Sequence, residues 1–244
     1  MRKHTISRLW YLLRTGKLIE ELSAKGKHKK NSPETEYRLP KVRLETLIGD
    51  LTPQLLETSV SDGNVTEYEL FALAAIARKF QPKRLFEIGT FDGRTSLNLI
   101  ANAAPAAEMY TLDLPQSDIA QTELRIKTGD RKFIDKPVSG TRFLNTEYAG
   151  NIHQIYADSA RYDYSHLHNS MDLIFVDGAH SYEYVINDTE KVRPLLRNGK
   201  GIILWHDYGW HEVIKALNEY YAKDAFFANL KHIEGTTIAY LICE

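Results

Sequence analysis

The chain has 244 residues, enough for one large α/β domain and a short additional segment. A hydrophobic content of 43% and a charged content of 26% are those of an ordinary globular protein, and the formal net charge of −1 gives no reason to expect a nucleic acid as partner. Cys243 is the single cysteine, so a disulfide within the chain is excluded. No apolar run approaches the length of a membrane span and no signal-peptide core is evident, so we expect a cytoplasmic protein.

Positive charge is concentrated in residues 1–30, which hold nine Lys and Arg against two Glu and therefore carry a charge of +7. Apolar residues recur at helical spacing over 5–22, and residues 25–33 have the composition of an exposed linker. Such a basic helix either packs on the main domain or across a dimer, or lies on a membrane surface. One Trp and a few Leu are a weak membrane signal, so we favour packing and leave a homo-oligomer open. We assign residues 1–60 to an N-terminal helical and linker extension, and residues 61–244 to the main domain.

From Thr66 onward, helices and strands alternate. The sequence Thr66-Glu67-Tyr68-Glu69 has the capping-box form and predicts the start of a helix. Strands are predicted at 84–88, 108–112, 152–156, 171–176 and 201–205, helices at 94–103, 182–196 and 212–222, and a closing antiparallel hairpin at 226–233 and 237–242. This order predicts a three-layer, Rossmann-like α/β fold with a seven-stranded, mostly parallel sheet. Residues 115–150 are too long for a plain connection, and we interpret them as an insertion over the site.

Five of the predicted strands end at or near a glycine or polar residues, namely Gly89, Asp113, Asp158, Asp177 and His206-Asp207. The carboxyl ends of parallel strands meet at one edge of the sheet, where ligands bind. A single aspartate in such a position is as readily a helix cap or a turn former. Because carboxylates are rarely buried without a partner, their recurrence indicates a polar crevice at this edge.

The sharpest local motif is Glu87-Ile-Gly89-Thr-Phe-Asp92-Gly93-Arg-Thr-Ser96. Gly89 and Gly93 permit a tight turn and the close approach of a ligand to backbone N–H groups. Their spacing is Gly-x-x-x-Gly, not the Gly-x-Gly-x-x-Gly of dinucleotide binders. Glu87 and Asp92 would repel a pyrophosphate but suit a ligand that carries an ammonium and a sulfonium. Asp113, about twenty residues further on, is suited to accept hydrogen bonds from both hydroxyls of a ribose.

These residues, with Asp158-Ser159 and Phe175-Val-Asp177-Gly-Ala-His180-Ser-Tyr182, resemble the class I S-adenosylmethionine-dependent methyltransferases. Within that class they are most similar to methyltransferase family 24, related to catechol O-methyltransferase and macrocin-type sugar O-methyltransferases. The resemblance covers roughly residues 65–242 and implies S-adenosylmethionine as cofactor. The cofactor-binding residues that it implies are Glu87, Gly89, Thr90, Gly93, Thr95, Ser96, Asp113, Leu114, Asp158, Ser159 and Asp177.

The resemblance also implies a role for each part of this set. Glu87, Gly89 and Gly93 would hold the amino-acid end of the cofactor. Asp113 would bind the ribose, with Leu114 against the adenine. Asp158 would accept a hydrogen bond from the adenine amino group, with Ser159 beside it.

We expect the chemistry of methyl transfer to take place at Asp177, His180, His206 and Asp207. In catechol O-methyltransferase-like enzymes the positions of Asp177 and of the His206-Asp207 pair bind magnesium, and the residue three after the first ligand is the catalytic base, which here is His180. An unperturbed imidazole pKa near 6.5 suits that role. The related enzymes have Asp-Asn where this chain has His206-Asp207. Asp177, His206 and Asp207 are the candidate ligands for Mg or Mn. Because imidazole is a poor ligand for magnesium, the presence of His206 leaves manganese, another transition metal, or no metal at all as alternatives.

We therefore predict an S-adenosylmethionine-dependent methyltransferase that methylates a hydroxyl of a small acceptor, a sugar or a phenolic compound, with Asp177 and His180 as catalytic residues. One alternative is a non-catalytic binder of S-adenosylmethionine or S-adenosylhomocysteine, which would not need the cluster of His and Asp. A second alternative, an NAD-dependent oxidoreductase, is disfavoured by the glycine spacing and the acidic loop.

Overall fold

The computed structural model describes residues 36–244. The helix predicted over 5–22 and the linker at 25–33 lie outside the described residues. Among the described residues, no helix combines the length and the apolar character that crossing a bilayer requires.

The described chain forms one mixed sheet with helices on both faces. The strands are β1 (Lys41–Val42), β2 (Arg84–Ile88), β3 (Glu108–Asp113), β4 (Ile152–Tyr156), β5 (Leu173–Val176), β6 (Gly201–Trp205), β7 (Lys231–Ile233) and β8 (Ala239–Cys243). The helices are α1 (Leu44–Ile48), α2 (Glu67–Phe80), α3 (Arg94–Ile100), α4 (Arg131–Ile134), α5 (Tyr182–Val192) and α6 (His211–Lys223). Single 3-10 turns or short 3-10 helices occur at Gln116–Gln121, Ala149–Asn151, Ser165–Leu167, Arg193–Leu195 and Ala225–Phe227.

The strand order is β1-β7-β8-β6-β5-β2-β3-β4, and only β8 runs antiparallel to its neighbours in this sheet of the described residues. The Rossmann-like, mostly parallel α/β prediction is confirmed, including the antiparallel pairing of the last two strands. The sheet has eight strands and not seven because β1 pairs with β7 at the edge. A strand of two residues is too short to show the alternation by which strands are recognised in a sequence.

Several boundaries differ from the prediction, and two of these differences change the kind of structure. The predicted strand over 226–233 begins as a 3-10 turn, and only Lys231–Ile233 pair in the sheet. The helix predicted over 182–196 ends at Val192 and continues as a 3-10 turn that contains Pro194. Proline has no N–H to donate to the helix, which explains the change at this point.

The central strands are buried on both faces. In β5, Phe175 belongs to the core beneath α1, α2 and α3, whereas Ile174 and Val176 belong to the core beneath α5 and α6. Burial on both faces explains why β5 is uniformly apolar and does not alternate. The two cores hold the carboxyl ends of the strands in fixed register, which is the edge at which polar residues were predicted.

The chain reverses direction across the sheet between β2 and β5. After β2 it adds β3 and β4 on one side, and then crosses back to add β5 and β6 on the other. Gly89 follows β2 with φ of +98°, and a β-carbon there would overlap the carbonyl oxygen of Asp177, which follows β5. Gly89 is therefore required by the close approach of two backbones at this crossing point.

Residues 36–60 contact the main domain closely, although the sequence assigns them to the extension. Leu44 and Ile48 are buried in the core, and the backbone N–H groups of Gln54 and Leu56 donate to the side chains of Asn102 and Asn98. The division at residue 60 stays a prediction, and these contacts favour counting residues 36–60 with the domain.

The segment 57–65, which we call the strap, is held from below by Arg94. The guanidinium of Arg94 is 1% exposed and donates to the carbonyl oxygens of Glu57 (3.2 Å), Thr58 (3.2 Å) and Val65 (2.7 Å). Replacing it leaves these carbonyl groups without their charged donor, which costs more than an ordinary surface change.

We expect Arg94→Leu to lower the free energy of unfolding by about 3 kcal/mol. Arg38→Leu is the matched control, because the side chain of Arg38 is 55% exposed and lies 3.9 Å from Glu36, whose side chain is 69% exposed. The control should change stability by less than about 0.5 kcal/mol. Urea unfolding of the two variants and the parent measures both values, and equal losses would show that the strap does not depend on Arg94.

Candidate active site

A cleft opens at the carboxyl ends of the parallel strands, at the point where the strand order reverses. The predicted site residues that line it are Gly89, Asp113, Leu114, Asp158, Ser159, Asp177, His180, His206 and Asp207. The predicted insertion contributes a wall of the same cleft through Ile126, Asp130, Phe133, Ile134 and Lys136. The segment 115–150 thus borders the cleft, and its interpretation as an insertion over the site stays a prediction.

The remaining predicted cofactor residues do not line the cleft, namely Glu87, Thr90, Gly93, Thr95 and Ser96. Glu87 is fully buried beneath the glycine loop, where its Oε2 accepts hydrogen bonds from Ser96 and from Thr111 (2.6 Å). Thr90 Oγ1 continues this network to Thr111 Oγ1 at 2.7 Å. Burial raises the pKa of Glu87 to about 8 against the effect of its two hydroxyl donors. Glu87 Oε1 is buried and has no hydrogen-bond partner among the described residues.

The glycine loop that contains Asp92 carries less unpaired negative charge than its sequence indicates. Asp92 Oδ2 lies 2.7 Å from Arg142 Nε, and Asp92 Oδ1 accepts from the N–H of Arg94. Arg142 thus balances the charge of Asp92, and the expectation that Asp92 repels a pyrophosphate stays a prediction. Gly93, with φ of +84°, is required by packing, since a β-carbon there would overlap the ring of Phe143.

Asp113 lies in the cleft between Leu112 and Leu114, at the end of β3. Its Oδ2 accepts a hydrogen bond from Ser139 and forms an ion pair with Lys136 Nζ at 2.7 Å. Burial raises the pKa of Asp113, although Lys136 acts in the opposite direction. Both of these side-chain partners therefore contact the same oxygen, Oδ2.

Asp158 ties three segments together at the end of β4. Its Oδ2 accepts from the N–H of Glu123 in the insertion (2.7 Å), and its Oδ1 accepts from the Tyr184 hydroxyl (2.9 Å) and the N–H of Ala160 (3.0 Å). Both oxygens therefore have donors within the chain. The predicted hydrogen bond to an adenine amino group needs one of the remaining lone pairs, and it stays a prediction.

The three predicted metal ligands meet in one cluster. Single ligand atoms of Asp177, His206 and Asp207 all lie within 4.8 Å of one another. His206 Nδ1 is 3.0 Å from Asp177 Oδ1 and 3.1 Å from Asp207 Oδ2. Two carboxylate oxygens and an imidazole nitrogen form a donor set that fits Mn²⁺ or another transition metal better than Mg²⁺.

The backbone brings both members of the His206-Asp207 pair to this cluster. The N–H of His206 donates to the carbonyl oxygen of Val176 at the end of the neighbouring strand, at 3.0 Å. Asp207 then adopts φ of +58°, in the left-handed region that is unusual for any residue other than glycine. A backbone strained in this way is typical of functional sites.

His180 is held between two carboxylates. Its Nδ1 lies 2.8 Å from Asp130 Oδ1 and its Nε2 lies 2.6 Å from Asp207 Oδ2, while its ring stacks on Trp210 with centroids 4.7 Å apart. Burial opposes the charged form, but the hydrogen bonds and charges of Asp130 and Asp207 raise the pKa of His180 to about 10. The expectation of an ordinary imidazole pKa is therefore wrong, and His180 is an imidazolium at neutral pH in this arrangement.

A family model described as a methyltransferase domain matches residues 86–208, which is half of the chain. The chain belongs to this methyltransferase family. The resemblance to class I S-adenosylmethionine-dependent methyltransferases is thereby confirmed. No match was found among proteins of curated function.

Solved structures agree with the fold of this methyltransferase. The methyltransferase PaMTH1 of Podospora anserina, crystallised with S-adenosylhomocysteine, is similar with a TM-score of 0.53 and 19% identity over 75% of this chain and 81% of that chain. A putative caffeoyl-CoA O-methyltransferase from Staphylococcus aureus is similar with a TM-score of 0.52 and 16% identity over 77% of this chain and 87% of that chain. At these identities the likeness shows a shared fold.

The sequence did not indicate several residues of the cleft. Asp130 is a single carboxylate in a polar insertion, and Trp210 follows the last ligand pair at the start of α6, so neither stands out by pattern. Asp62, Gly63 and Asn64 of the strap also line the cleft. Arg142 holds this strap by donating to the carbonyl oxygen of Ser59 at 2.8 Å. A contact between segments so far apart in the chain leaves no local signal in a sequence.

Asp188 lies behind the predicted site residue Ser159. It is 1% exposed, and it accepts hydrogen bonds from Ser159 and from Asn187 Nδ2 (2.9 Å). Burial raises the pKa of Asp188 to about 7, and the hydrogen bonds only partly offset this effect. A carboxyl group whose pKa is raised on folding holds its proton longer in the native state, so it lowers stability as the pH rises from about 4 to 7.

We expect Asp188→Asn to remove this loss of stability. The free energy of unfolding of the variant relative to the parent should increase between about pH 4 and 7, by up to roughly 4 kcal/mol, and then level off. Asp50→Asn, a change at an exposed aspartate, should keep the pH profile of the parent. Urea unfolding at several pH values gives the three profiles, and parallel curves for Asp188→Asn and the parent would contradict the raised pKa.

Proposed function

We propose that this methyltransferase transfers a methyl group from S-adenosylmethionine to a hydroxyl of a small acceptor, a sugar or a phenolic compound. The observation that carries the proposal is the meeting of Asp177, His180, His206 and Asp207 in the cleft that Gly89 and Asp113 also line. A protein that only binds the cofactor has no use for an imidazole held between carboxylates beside a possible metal site.

The proposed cofactor-binding residues lie at or just after the carboxyl ends of the strands. Asp113 binds the ribose hydroxyls, with Leu114 against the adenine and with Asp158 and Ser159 near the adenine amino group. The glycine loop, with Glu87, Gly89, Thr90, Gly93, Thr95 and Ser96, holds the amino-acid end. The buried, unpartnered Oε1 of Glu87 supports this assignment, since an ammonium group that approached through the loop would satisfy it.

Methyl transfer from a sulfonium is a displacement, so the chain mainly orients and desolvates the acceptor oxygen. Asp177, His206 and Asp207 would hold a divalent cation, which when bound supplies a positive charge that lowers the pKa of the acceptor hydroxyl. Asp130 holds the ring of His180 so that its Nε2 faces Asp207 in the cleft. To take the hydroxyl proton from this position, His180 must first release the proton on Nε2, and Asp207 bound to a cation would no longer hold that proton. Asp177 is the second catalytic residue.

The acceptor part of the cleft supports a ring-shaped substrate. Trp210 is 43% exposed and stacks on His180, and Phe91 and Phe133, which also line the cleft, pack edge to face with ring centroids 5.9 Å apart. Aromatic faces of this kind contact phenolic rings and the apolar faces of sugars alike. The balanced charge of the chain agrees with a small-molecule acceptor and with the absence of a nucleic acid partner. A cytoplasmic location, association into homo-oligomers and contact of residues 1–30 with a membrane stay predictions.

Removing the ribose carboxylate should weaken cofactor binding. We expect Asp113→Ala to reduce the affinity for S-adenosylhomocysteine by about 1–3 kcal/mol, because charged hydrogen bonds to the ribose are lost. Asp163→Ala, at an exposed aspartate outside the cleft, should bind as the parent does. Calorimetry measures both, and tighter binding of NAD than of S-adenosylhomocysteine by the parent would overturn the proposal.

Chelation tests the metal and the chemistry together. With a labelled methyl donor and a panel of sugars and phenols, activity should fall after exhaustive chelation and return more fully with Mn²⁺ than with Mg²⁺, because one ligand is an imidazole. Activity that survives chelation would show that the cluster works without a metal. Cofactor binding without transfer to any acceptor would favour the non-catalytic alternative.

A further inference from the structure

Glu69 is fixed in one position by four hydrogen bonds. Its Oε2 accepts from the N–H and the hydroxyl of Thr66 at 2.9 and 2.8 Å, which completes the predicted capping box of α2. Its Oε1 accepts from the N–H and the hydroxyl of Thr237 at 2.7 and 2.8 Å, in the turn before β8. The residue is 3% exposed. A glutamate that served only as a helix cap would need neither burial nor the bonds to Thr237.

The same carboxylate faces the imidazole of the metal cluster. Glu69 Oε2 lies 3.4 Å from His206 Nε2, an ion-pair distance without the alignment of a hydrogen bond. His206 Nε2 is itself buried, with no hydrogen-bond partner among the described residues. The two nitrogens of His206 therefore face different groups: Nε2 faces Glu69, and Nδ1 faces Asp177 and Asp207.

We propose that Glu69 is a positioning residue for the metal site, whose carboxylate faces Nε2 of His206 and so presents Nδ1 to an ion shared with Asp177 and Asp207. This inference rests on the metal site of the proposed function. It assigns Glu69 a second role beyond capping α2, namely to make His206 a nitrogen ligand and thereby to set the preference of the site for transition metals over Mg²⁺.

The physical argument is that a neutral imidazole carries one proton, and its location decides which nitrogen can bind a metal. His206 Nδ1 hydrogen-bonds Asp177 Oδ1 at 3.0 Å, and an ion held by Asp177 and Asp207 would replace the proton on Nδ1. A carboxylate next to Nε2 then keeps the remaining proton on that nitrogen. Such outer carboxylates typically change metal affinity 10- to 100-fold. Glu69 is suited to this role because the four donors of Thr66 and Thr237 prevent it from turning away or reaching the ion directly.

The sharpest test is Glu69→Gln in the full chain, with Glu67→Gln as the matched control. Glu67 lies in the same turn of α2 but is exposed, so the control makes the same chemical change away from the cluster. We expect Glu69→Gln to weaken binding of Mn²⁺ by about 10- to 100-fold, measured by the electron paramagnetic resonance of free Mn²⁺, and the control to change it less than about twofold. The Mg²⁺ affinity, measured by competition with Mn²⁺, should change much less. The ratio of the Mn²⁺ affinity to the Mg²⁺ affinity should therefore fall.

A double variant shows whether Glu69 acts through His206. In His206→Asn, where no imidazole remains to be oriented, adding Glu69→Gln should cause no further loss of Mn²⁺ affinity. Glu69→Asp serves as a second variant in case the glutamine variant does not fold, since it keeps the charge but withdraws it from His206, and it should also weaken Mn²⁺ binding. The visible spectrum of bound Co²⁺ gives an independent record of imidazole ligation.

Equal Mn²⁺ affinity in Glu69→Gln and the parent would overturn the inference. The inference would also be overturned if Glu69→Gln weakened Mn²⁺ binding as much in the His206→Asn background as in the parent. A parent chain that does not bind Mn²⁺ at all would overturn it as well. Calorimetry of S-adenosylhomocysteine binding by the same samples separates these results from the proposed function. If the cofactor still binds and methyl transfer continues, the methyltransferase proposal stands although the role of Glu69 does not.

Discussion

The site depends on the way in which hydrogen bonding of the parallel sheet continues one residue beyond the strand ends. The N–H of Gly89 donates to Leu112, that of Asp177 to Ile88 and that of His206 to Val176, at 2.8, 2.8 and 3.0 Å. Each loop thus begins from the last carbonyl group of the neighbouring strand, and the residues after the strands are aligned side by side. Because Gly89 carries no side chain, the backbones after β2 and β5 can approach closely enough for this alignment.

Once the strand ends are aligned, acidic side chains crowd together, and the chain compensates most of them with fixed partners. Asp92 is paired with Arg142 and Asp113 with Lys136, while the carboxylates near His180 and His206 raise the pKa of both imidazoles. Arg142 and Lys136 both come from the insertion. The segment that forms a wall of the cleft therefore also balances the charge of the carboxylates at the strand ends.

The contacts of Glu69 connect the architecture with the proposed chemistry. One side chain caps α2, holds the turn before β8 through Thr237 and faces His206. The imidazole of His206 is thereby linked to a helix start and to the antiparallel end of the sheet. Sites supported by regular elements are held more accurately than sites on loops alone.

The sequence by itself determined the alternation of helices and strands, the parallel sheet and the family, because apolar strands and the residues that follow them are local signals. It also indicated Asp177, His206 and Asp207 as neighbours, since parallel strands end at a common edge. Only the tertiary structure decided that Glu87 and Ser96 lie beneath the loop, that Asp130 holds His180, and that the predicted cap Glu69 faces His206. Those facts depend on packing between segments distant in the chain, and the pKa values that follow from it cannot be read from residue order.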